Sequence, residues 1–289
     1  MANAAQDSYY VPHGSHWPMV GSIGLFTTLA GAATWLNGGD IGKFIMLTGV
    51  AIVIYMMFGW FGTVVRESEG GYYNKEVDTS FRMGMMWFIF SEIMFFACFF
   101  GALFYARTIA LPWLGGDSNN FFTNTLLWDG WSAEWPTNGP GAVGGEFEPM
   151  GAWPLPTINT IILLTSGVTI TIAHHALKEG NRAVLNTFLA LTWALGFLFV
   201  GLQAYEYWEA YNHLNLTMNS GIYGSTFFML TGFHGMHVTL GAIMLAVIAI
   251  RSIRGHFSAK NHFGFEAVAW YWHFVDVVWL GLFIFVYVY

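Results

Sequence analysis

Seven stretches of this chain are long and apolar enough to cross a membrane as α-helices. Crossing a hydrocarbon core of about 30 Å takes about 20 mostly apolar residues, and a helix satisfies its own backbone polar groups where water is absent. Only 9% of the residues are charged, whereas an average soluble domain has about 25%. The pattern therefore predicts an all-α, polytopic membrane protein with seven transmembrane helices. These cover approximately residues 17–36, 41–65, 81–106, 157–177, 184–208, 222–250 and 263–289.

The distribution of lysine and arginine predicts how the spans are oriented. Basic residues are retained preferentially on the cytoplasmic side of a membrane, and eight of the ten in this chain fall in alternate connections. With seven spans, this places residues 1–16 in the cytoplasm or an equivalent inner compartment and Tyr289 outside. Met1 to Pro18 lack the features of a signal peptide, so no cleaved signal is expected. The eight are Arg66, Lys75, Arg82, Lys178, Arg182, Arg251, Arg254 and Lys260, while the opposite side has Lys43 and Arg107.

One long connection, residues 111–156, falls on the predicted outer side and has no basic residue. It contains several acidic residues and five tryptophans. Tryptophan favours the membrane interface, so we expect this loop to lie over the outer surface. A solvated acidic loop is the preferred interpretation, and a docking surface for a basic partner is the alternative. The tryptophans are Trp113, Trp128, Trp131, Trp135 and Trp153, and the acidic residues are Asp117, Asp129, Glu134, Glu146 and Glu148.

Charge and cysteine content argue against several kinds of site. The net charge is −7 and the chain has no run of lysine and arginine, so nucleic-acid binding is not expected. The single cysteine, Cys98, excludes an internal disulfide and a cysteine-based metal site, and we expect it to be a small buried hydrophobe. The sequence has no P-loop motif, which argues against ATP-driven transport.

One carboxylate, Glu92, falls near the middle of the third predicted span. It lies ten residues past Arg82 and fifteen before Arg107, which at about 1.5 Å per residue places it about 15 Å from the basic end of its helix. A charge at the bilayer centre costs about 2.5–3.5 kcal/mol on insertion scales, so such a group needs a partner, water or neutralisation. Two interpretations stay open: a structural carboxylic acid that donates a hydrogen bond to another helix, and a group that acts in proton or lipid chemistry.

Three histidines and an aspartate form a second group of ionisable residues in the last two spans. His234 and His237 are three residues apart in span six, and His273 and Asp276 have the same spacing in span seven, so each pair shares a helix face. A metal needs three or four ligands and a bis-histidine haem needs opposed histidines, so no metal site is expected here. The preferred interpretation is a buried hydrogen-bonded network that ties the two helices together.

Ionisable residues also occur at the ends of two spans. His174 and His175 end the fourth span, and Glu206 and Glu209 end the fifth. We expect both pairs to lie near water, as interface residues and partners for helix ends.

A basic cluster follows span six on the predicted inner side. It contains Arg251, Arg254 and His256, and Arg66 after span two is a candidate to join it. Juxtamembrane clusters of this kind bind anionic lipid headgroups. Orientation of the chain by its positive charges is a competing explanation.

Several short strings together resemble subunit III of the haem-copper cytochrome c oxidases. The resemblance spans nearly the whole chain, and its most specific part is His262 to Glu266 with Trp270 to Leu280. The outer loop departs from mitochondrial members of that family, in which it is much shorter, and is typical of bacteria. The other strings are Arg66-Glu67-Ser68, Ser91-Glu92, Phe95-Phe96, Ser166-Gly167-Val168, Ala173-His174-His175, Gln203-Ala204, Glu206-Tyr207, Gly221 to Phe228 and Gly232 to His237.

The resemblance implies a two-helix bundle, residues 17–65, and a five-helix bundle, residues 81–289, with a lipid-filled cleft between them. It implies an accessory, non-catalytic subunit of a proton-pumping oxidase in aerobic respiration, with haem and copper held by partner subunits and no metal held by this chain. Such a subunit supports proton uptake and turnover stability of subunit I, its main contact. Subunit II, small subunits, respiratory supercomplex partners and phospholipids are further implied partners, and the implied location is a bacterial inner membrane.

The resemblance also implies roles for individual residues. Glu92 matches the family's buried carboxylate near the lipid cleft, and Arg66 and Arg251 match its contacts with lipid headgroups. Arg254 and His256 match more loosely. The residues taken alone leave two other functions open: an independent proton or ion channel, and a purely structural subunit that holds lipid.

Overall fold

The computed structural model describes residues 9–12 and 14–289, so part of the predicted N-terminal segment 1–16 lies outside the described residues. Over the described range the secondary structure is helical, without a β-strand. Among these described residues, seven helices are long and apolar enough to cross a membrane, which confirms the predicted fold class. They are α1 (Trp17–Leu36), α2 (Gly42–Glu69), α3 (Lys75–Tyr105), α4 (Leu155–Glu179), α5 (Arg182–Asn212), α6 (Gly221–Ile253) and α7 (Phe263–Leu282), which a π-helical segment, Phe283–Val288, continues.

Several helices extend beyond the apolar stretches that predict them, and α3 does so most. Its first turn holds Glu76 and Asp78, where the positive end of the helix dipole favours negative charge. Asp78 also pairs with Arg82, with 2.7 Å between Oδ2 and Nε. At the other end a π-helical segment, Ala106–Ala110, and one further turn, Leu111–Leu114, carry the helix into the predicted loop. Hydropathy detects only the part of a helix that lies in hydrocarbon, so it does not reveal these ends.

The chain divides into two compact units, an N-terminal unit, Met1–Met83, and a C-terminal unit, Gly84–Tyr289. In the N-terminal unit, α1 and α2 pack closely along their length. A side chain on Gly31 of α1 would clash with the backbone of Met46, and Gly49 of α2 meets α1 in the same way. Small residues at a membrane helix interface let the backbones approach, so these glycines set the spacing of the pair.

In the C-terminal unit, α4 and α6 each contact both α5 and α7. Two fully buried tryptophans of α7 form the centre of this group. Nε1 of Trp272 donates to Oγ of Ser166 and Nε1 of Trp279 donates to Oγ1 of Thr160, each over 2.9 Å. The Trp272 ring lies where a side chain on Gly196 would clash with it. The buried rings therefore supply apolar contact, and their N–H groups are satisfied by α4.

The exposed surface of α3, which faces away from the other helices of the C-terminal unit, is strongly apolar. Cys98, which we expected to be buried, is exposed on this helix, as are Trp87 and Met94. In a membrane an apolar side chain that faces away from the protein meets lipid rather than water. The expectation for Cys98 is therefore wrong, because an apolar sequence context does not require burial within the protein.

The long loop after α3 is attached to the connection between α5 and α6. A short helix, Phe121–Leu127, lies in its first half. In its second half the backbone N–H of Glu148 donates to the carbonyl of Leu214 over 2.9 Å, and Nδ2 of Asn215 donates to the carbonyl of Glu146 over 2.7 Å. These contacts hold the loop at the end of the C-terminal unit where α5 ends and α6 begins.

Candidate functional site

The midspan carboxylate Glu92 of α3 contacts a histidine of α6. Its Oε2 lies 2.9 Å from Nε2 of His237. The side chain of Glu92 is 21% exposed and that of His237 is 7% exposed. Glu92 thus has the protein partner that an acid within a membrane span requires, although its own sequence context does not indicate which residue that is.

The contact between Glu92 and His237 holds one shared proton. Nδ1 of His237 lies 2.6 Å from the carbonyl oxygen of Phe233, and because a carbonyl only accepts, Nδ1 carries a hydrogen. The hydrogen bond between Nε2 and Glu92 needs one hydrogen more. If this hydrogen is on oxygen, both groups are neutral, and if it is on nitrogen, a carboxylate faces an imidazolium. The net charge is zero in both forms, so the pair is compatible with a membrane span.

Aromatic rings enclose the imidazole of this pair. The ring centroids of Phe95 and Phe96 lie 5.8 and 5.0 Å from that of His237. Tyr271 of α7 stacks beside the imidazole with 6.4 Å between centroids, and its hydroxyl donates to the carbonyl oxygen of His237 over 3.2 Å. Surroundings of low polarity strengthen a hydrogen bond and make an unpaired polar group costly, so these rings favour the paired arrangement.

The network predicted between α6 and α7 divides into separate contacts. Nε2 of His234, which is fully buried, donates to the carbonyl oxygen of Val275 on α7 over 3.1 Å, and this contact does join the two helices. His237 instead turns to α3. Nδ1 of His273 lies 3.8 Å from Oδ2 of Asp276, which is too long for a hydrogen bond. The prediction of one four-residue network is wrong, because spacing along a helix shows which residues share a face but not which helix that face meets.

His273 and Asp276 lie against α4. Nε2 of His273 is 3.3 Å from Oγ1 of Thr171. The carboxyl group of Asp276 occupies the space that Gly167 leaves open, because a side chain at Gly167 would clash with it. Asp276 is only 6% exposed, so α4 and α7 enclose this carboxyl group.

Glu206 of α5 is buried, whereas we expected it to lie near water. Its exposure is 0%, and its Oε1 accepts a hydrogen bond from the hydroxyl of Tyr287 over 2.6 Å. Tyr287 belongs to the π-helical extension of α7, which covers this end of α5. The expectation is therefore wrong because distance from a helix end does not show what packs over it. Gln203, one turn earlier and also buried, is the sequence signal for a polar face directed into the protein.

The predicted lipid-binding residues occur in both units. Arg66 is exposed near the end of α2, and Arg254 is exposed at the end of α6. The guanidinium carbon of Arg251 lies 4.6 Å from the ring centroid of Phe257, and His256 is partly buried. The two arginine side chains at the surface thus present charge at helix ends, while Arg251 packs on the loop that follows α6.

The part of the chain that the structure describes has seven helices long and apolar enough to cross a membrane, and one of them carries a carboxylate paired with a buried histidine. These features define a polytopic helical membrane protein. A family model for cytochrome c oxidase subunit III matches residues 7–289. The chain therefore belongs to the cytochrome c oxidase subunit III family, which confirms the resemblance found in its sequence. It is a multi-pass membrane protein and a subunit of an oxidoreductase complex with partner subunits.

Curated relatives match over almost their whole length. Cytochrome c oxidase subunit 3 of Carassius auratus is 40% identical over 288 residues, which cover 99% of this chain and 98% of the relative. The protein of the same name from Dugong dugon is 40% identical over 281 residues, covering 97% of this chain and 96% of the relative. That from Squalus acanthias is 38% identical over 288 residues, covering 99% and 98%.

Proposed function

We propose that this chain is an accessory subunit without a redox centre of its own, which supports proton uptake and turnover stability of the subunit that holds the haem-copper centre. The observation that carries this proposal is the contact of Glu92 with His237, which holds one proton at zero net charge within a membrane span. Moving the proton from Oε2 to Nε2 creates no net charge. The pair therefore exchanges a proton internally without the full cost of an isolated charge in the membrane.

Haem and copper belong to the partner subunits in this proposal. Both ring nitrogens of His237 take part in hydrogen bonds, with Glu92 and with the Phe233 carbonyl. A haem or metal ligand needs a nitrogen lone pair directed at the ion, so the two hydrogen bonds of His237 support a structural and proton-holding role for this histidine.

We propose subunit I as the main contact, with subunit II, small subunits and supercomplex partners as further neighbours. The proposed location is the inner membrane of a bacterium, with the N-terminus in the cytoplasm. The excess of basic residues in alternate connections supports this orientation.

The variant Glu92→Gln in the assembled oxidase tests the proton role. The glutamine amide donates to Nε2 of His237 and keeps the hydrogen bond, but it has no acidic proton to release. We expect slower proton uptake or a shorter turnover lifetime, with normal assembly. Glu76→Gln, at an exposed carboxylate on the same helix, is the matched control and should leave both quantities unchanged.

Other outcomes of this experiment identify the alternatives. Wild-type proton uptake and lifetime in Glu92→Gln would refute the proton role and favour a purely structural subunit. Proton flux through liposomes that hold this chain alone would favour an independent channel.

We also propose that Arg66, Arg251, Arg254 and His256 bind phospholipid headgroups. Exposed arginines at helix ends on one predicted side of the membrane support this. Arg254→Gln should lower the phospholipid retained by the purified oxidase, measured as organic phosphate per chain. Lys260→Gln, at an exposed basic residue of the same connection, is the control. Equal loss in both variants would show that charge alone, and not the cluster, retains lipid.

A further inference from the structure

Two histidines and a glutamate come together where α4 ends and α7 begins. One ligand atom from each of His174, His262 and Glu266 can be chosen so that all three lie within 4.8 Å of one another. These residues are separate from the pair of Glu92 and His237. We propose that they bind a divalent transition-metal ion, with Zn²⁺ as the best match.

The fold brings the three side chains together from two helices. His262 is the N-cap of α7, and its carbonyl accepts the backbone N–H of Glu266 over 3.1 Å. Residues four apart on a helix lie on one face, so the two side chains point the same way. His174 comes from the last turns of α4, and its ring centroid lies 5.4 Å from that of His262. An ion here would join α4 to α7.

The distances between the ligand atoms are close to those in a site where one metal ion lies between its ligands. Nε2 of His174 lies 3.7 Å from Oε1 of Glu266, and Nε2 of His262 lies 3.9 Å from the same oxygen. Both distances exceed that of a hydrogen bond. Tetrahedral zinc, with bonds of about 2.0–2.2 Å, places its ligand atoms about 3.3–3.6 Å apart. The two distances to Glu266 are therefore within about half an ångström of those in a tetrahedral zinc site.

One histidine already has the supporting hydrogen bond of a metal ligand. Nδ1 of His262 lies 3.0 Å from the carbonyl oxygen of Ser258. Because the carbonyl only accepts, Nδ1 carries the hydrogen and, in the neutral ring, Nε2 offers its lone pair to the cluster. Metal-bound histidines almost always donate their second N–H in this way.

Two buried nitrogens of the cluster have no hydrogen-bond partner in the described part of the chain. These are Nε2 of His174 and Nε2 of His262. A buried polar atom left without a partner costs about 1–3 kcal/mol. Coordination of one ion by both nitrogens would remove this cost at two positions together.

The donor set selects the kind of ion. Two imidazoles and one carboxylate suit zinc and similar transition metals, whereas magnesium and calcium prefer oxygen ligands throughout. Three protein ligands leave one position for water. The side chains of His174 and Glu266 are 21% and 12% exposed, which gives an ion a route from the surface.

Zinc binding to the chelator-stripped, purified oxidase that contains this chain tests the proposal. The wild-type assembly should bind one equivalent of zinc more than His174→Gln or His262→Gln, measured by equilibrium dialysis and metal analysis. Zinc should also raise the thermal unfolding temperature of the wild type but not of these variants, because an ion bound only by the folded state stabilises it. His175→Gln, at the exposed neighbouring histidine, is the matched control and should bind the full amount.

Assembly of each variant is checked by copurification of the partner subunits. Glu266→Gln, which keeps the size of the side chain, provides a third variant and should bind zinc at least tenfold more weakly. Equal zinc binding by the wild type and assembled His174→Gln and His262→Gln would overturn the proposal. A wild-type assembly whose zinc content and unfolding temperature do not respond to added zinc would overturn it as well.

Discussion

The hydrogen bond between Glu92 and His237 should give a measurable energetic coupling between the two side chains. The Oε2 to Nε2 distance is 2.9 Å and the side chains are 21% and 7% exposed. Hydrogen bonds between membrane helices average about 0.6 kcal/mol and reach about 1.7 kcal/mol. Because this one is largely buried among aromatic rings and joins two ionisable groups, we expect a coupling of about 1–2 kcal/mol.

A double-mutant cycle measures this coupling. It compares Glu92→Leu, His237→Leu and the double variant by the free energy of unfolding of the full chain in mixed detergent micelles. The double variant should lose less stability than the sum of the single variants, because either single change leaves a buried polar group without its partner.

A second cycle supplies the control. His273 lies next to Thr171 rather than Glu92, so Glu92→Leu and His273→Leu should be additive within about 0.5 kcal/mol. Additivity of the first cycle within the same error would refute the assignment of His237 as the partner of Glu92.

Two further predictions concern the N-terminal unit. Gly31→Leu forces a side chain against the backbone of Met46 and should lower the free energy of unfolding by about 1–3 kcal/mol, whereas Gly62→Leu, with open space around it, should not; equal thermal stability of the two variants would contradict this. Burial and the 2.7 Å hydrogen bond to Glu67 raise the pKa of Tyr73. The stabilisation of the fold by the Tyr73 hydroxyl is therefore complete below the unfolded pKa of about 10, and it is lost as the pH rises through the pKa of the folded state. Unfolding measured against pH should show a smaller alkaline loss of stability in Tyr73→Phe than in the wild type, and identical curves would disprove the role of this hydroxyl.

The membrane helices are the part of the structure that the sequence predicts best. Hydrocarbon thickness imposes a length and an apolar composition on every span, and both can be read locally. The ends of α3 cannot be predicted in this way, because outside the hydrocarbon the helix is stabilised by charges in its first turn such as Glu76 and Asp78. Cys98 shows a second limit of hydropathy, which does not distinguish a side chain that contacts a neighbouring helix from one that contacts lipid.

The sequence by itself determined that this is a polytopic membrane protein and that a charge at Glu92 is energetically costly. Its short sequence motifs also determined the family. Only the tertiary structure decided that His237 is its partner, that Glu206 lies beneath Tyr287, and that His174 meets His262 and Glu266. The physical reason is that hydropathy and helical spacing act within one helix, whereas each of these contacts joins two helices. Which faces meet depends on close packing around glycines and buried tryptophans across the whole unit, and no single segment contains that information.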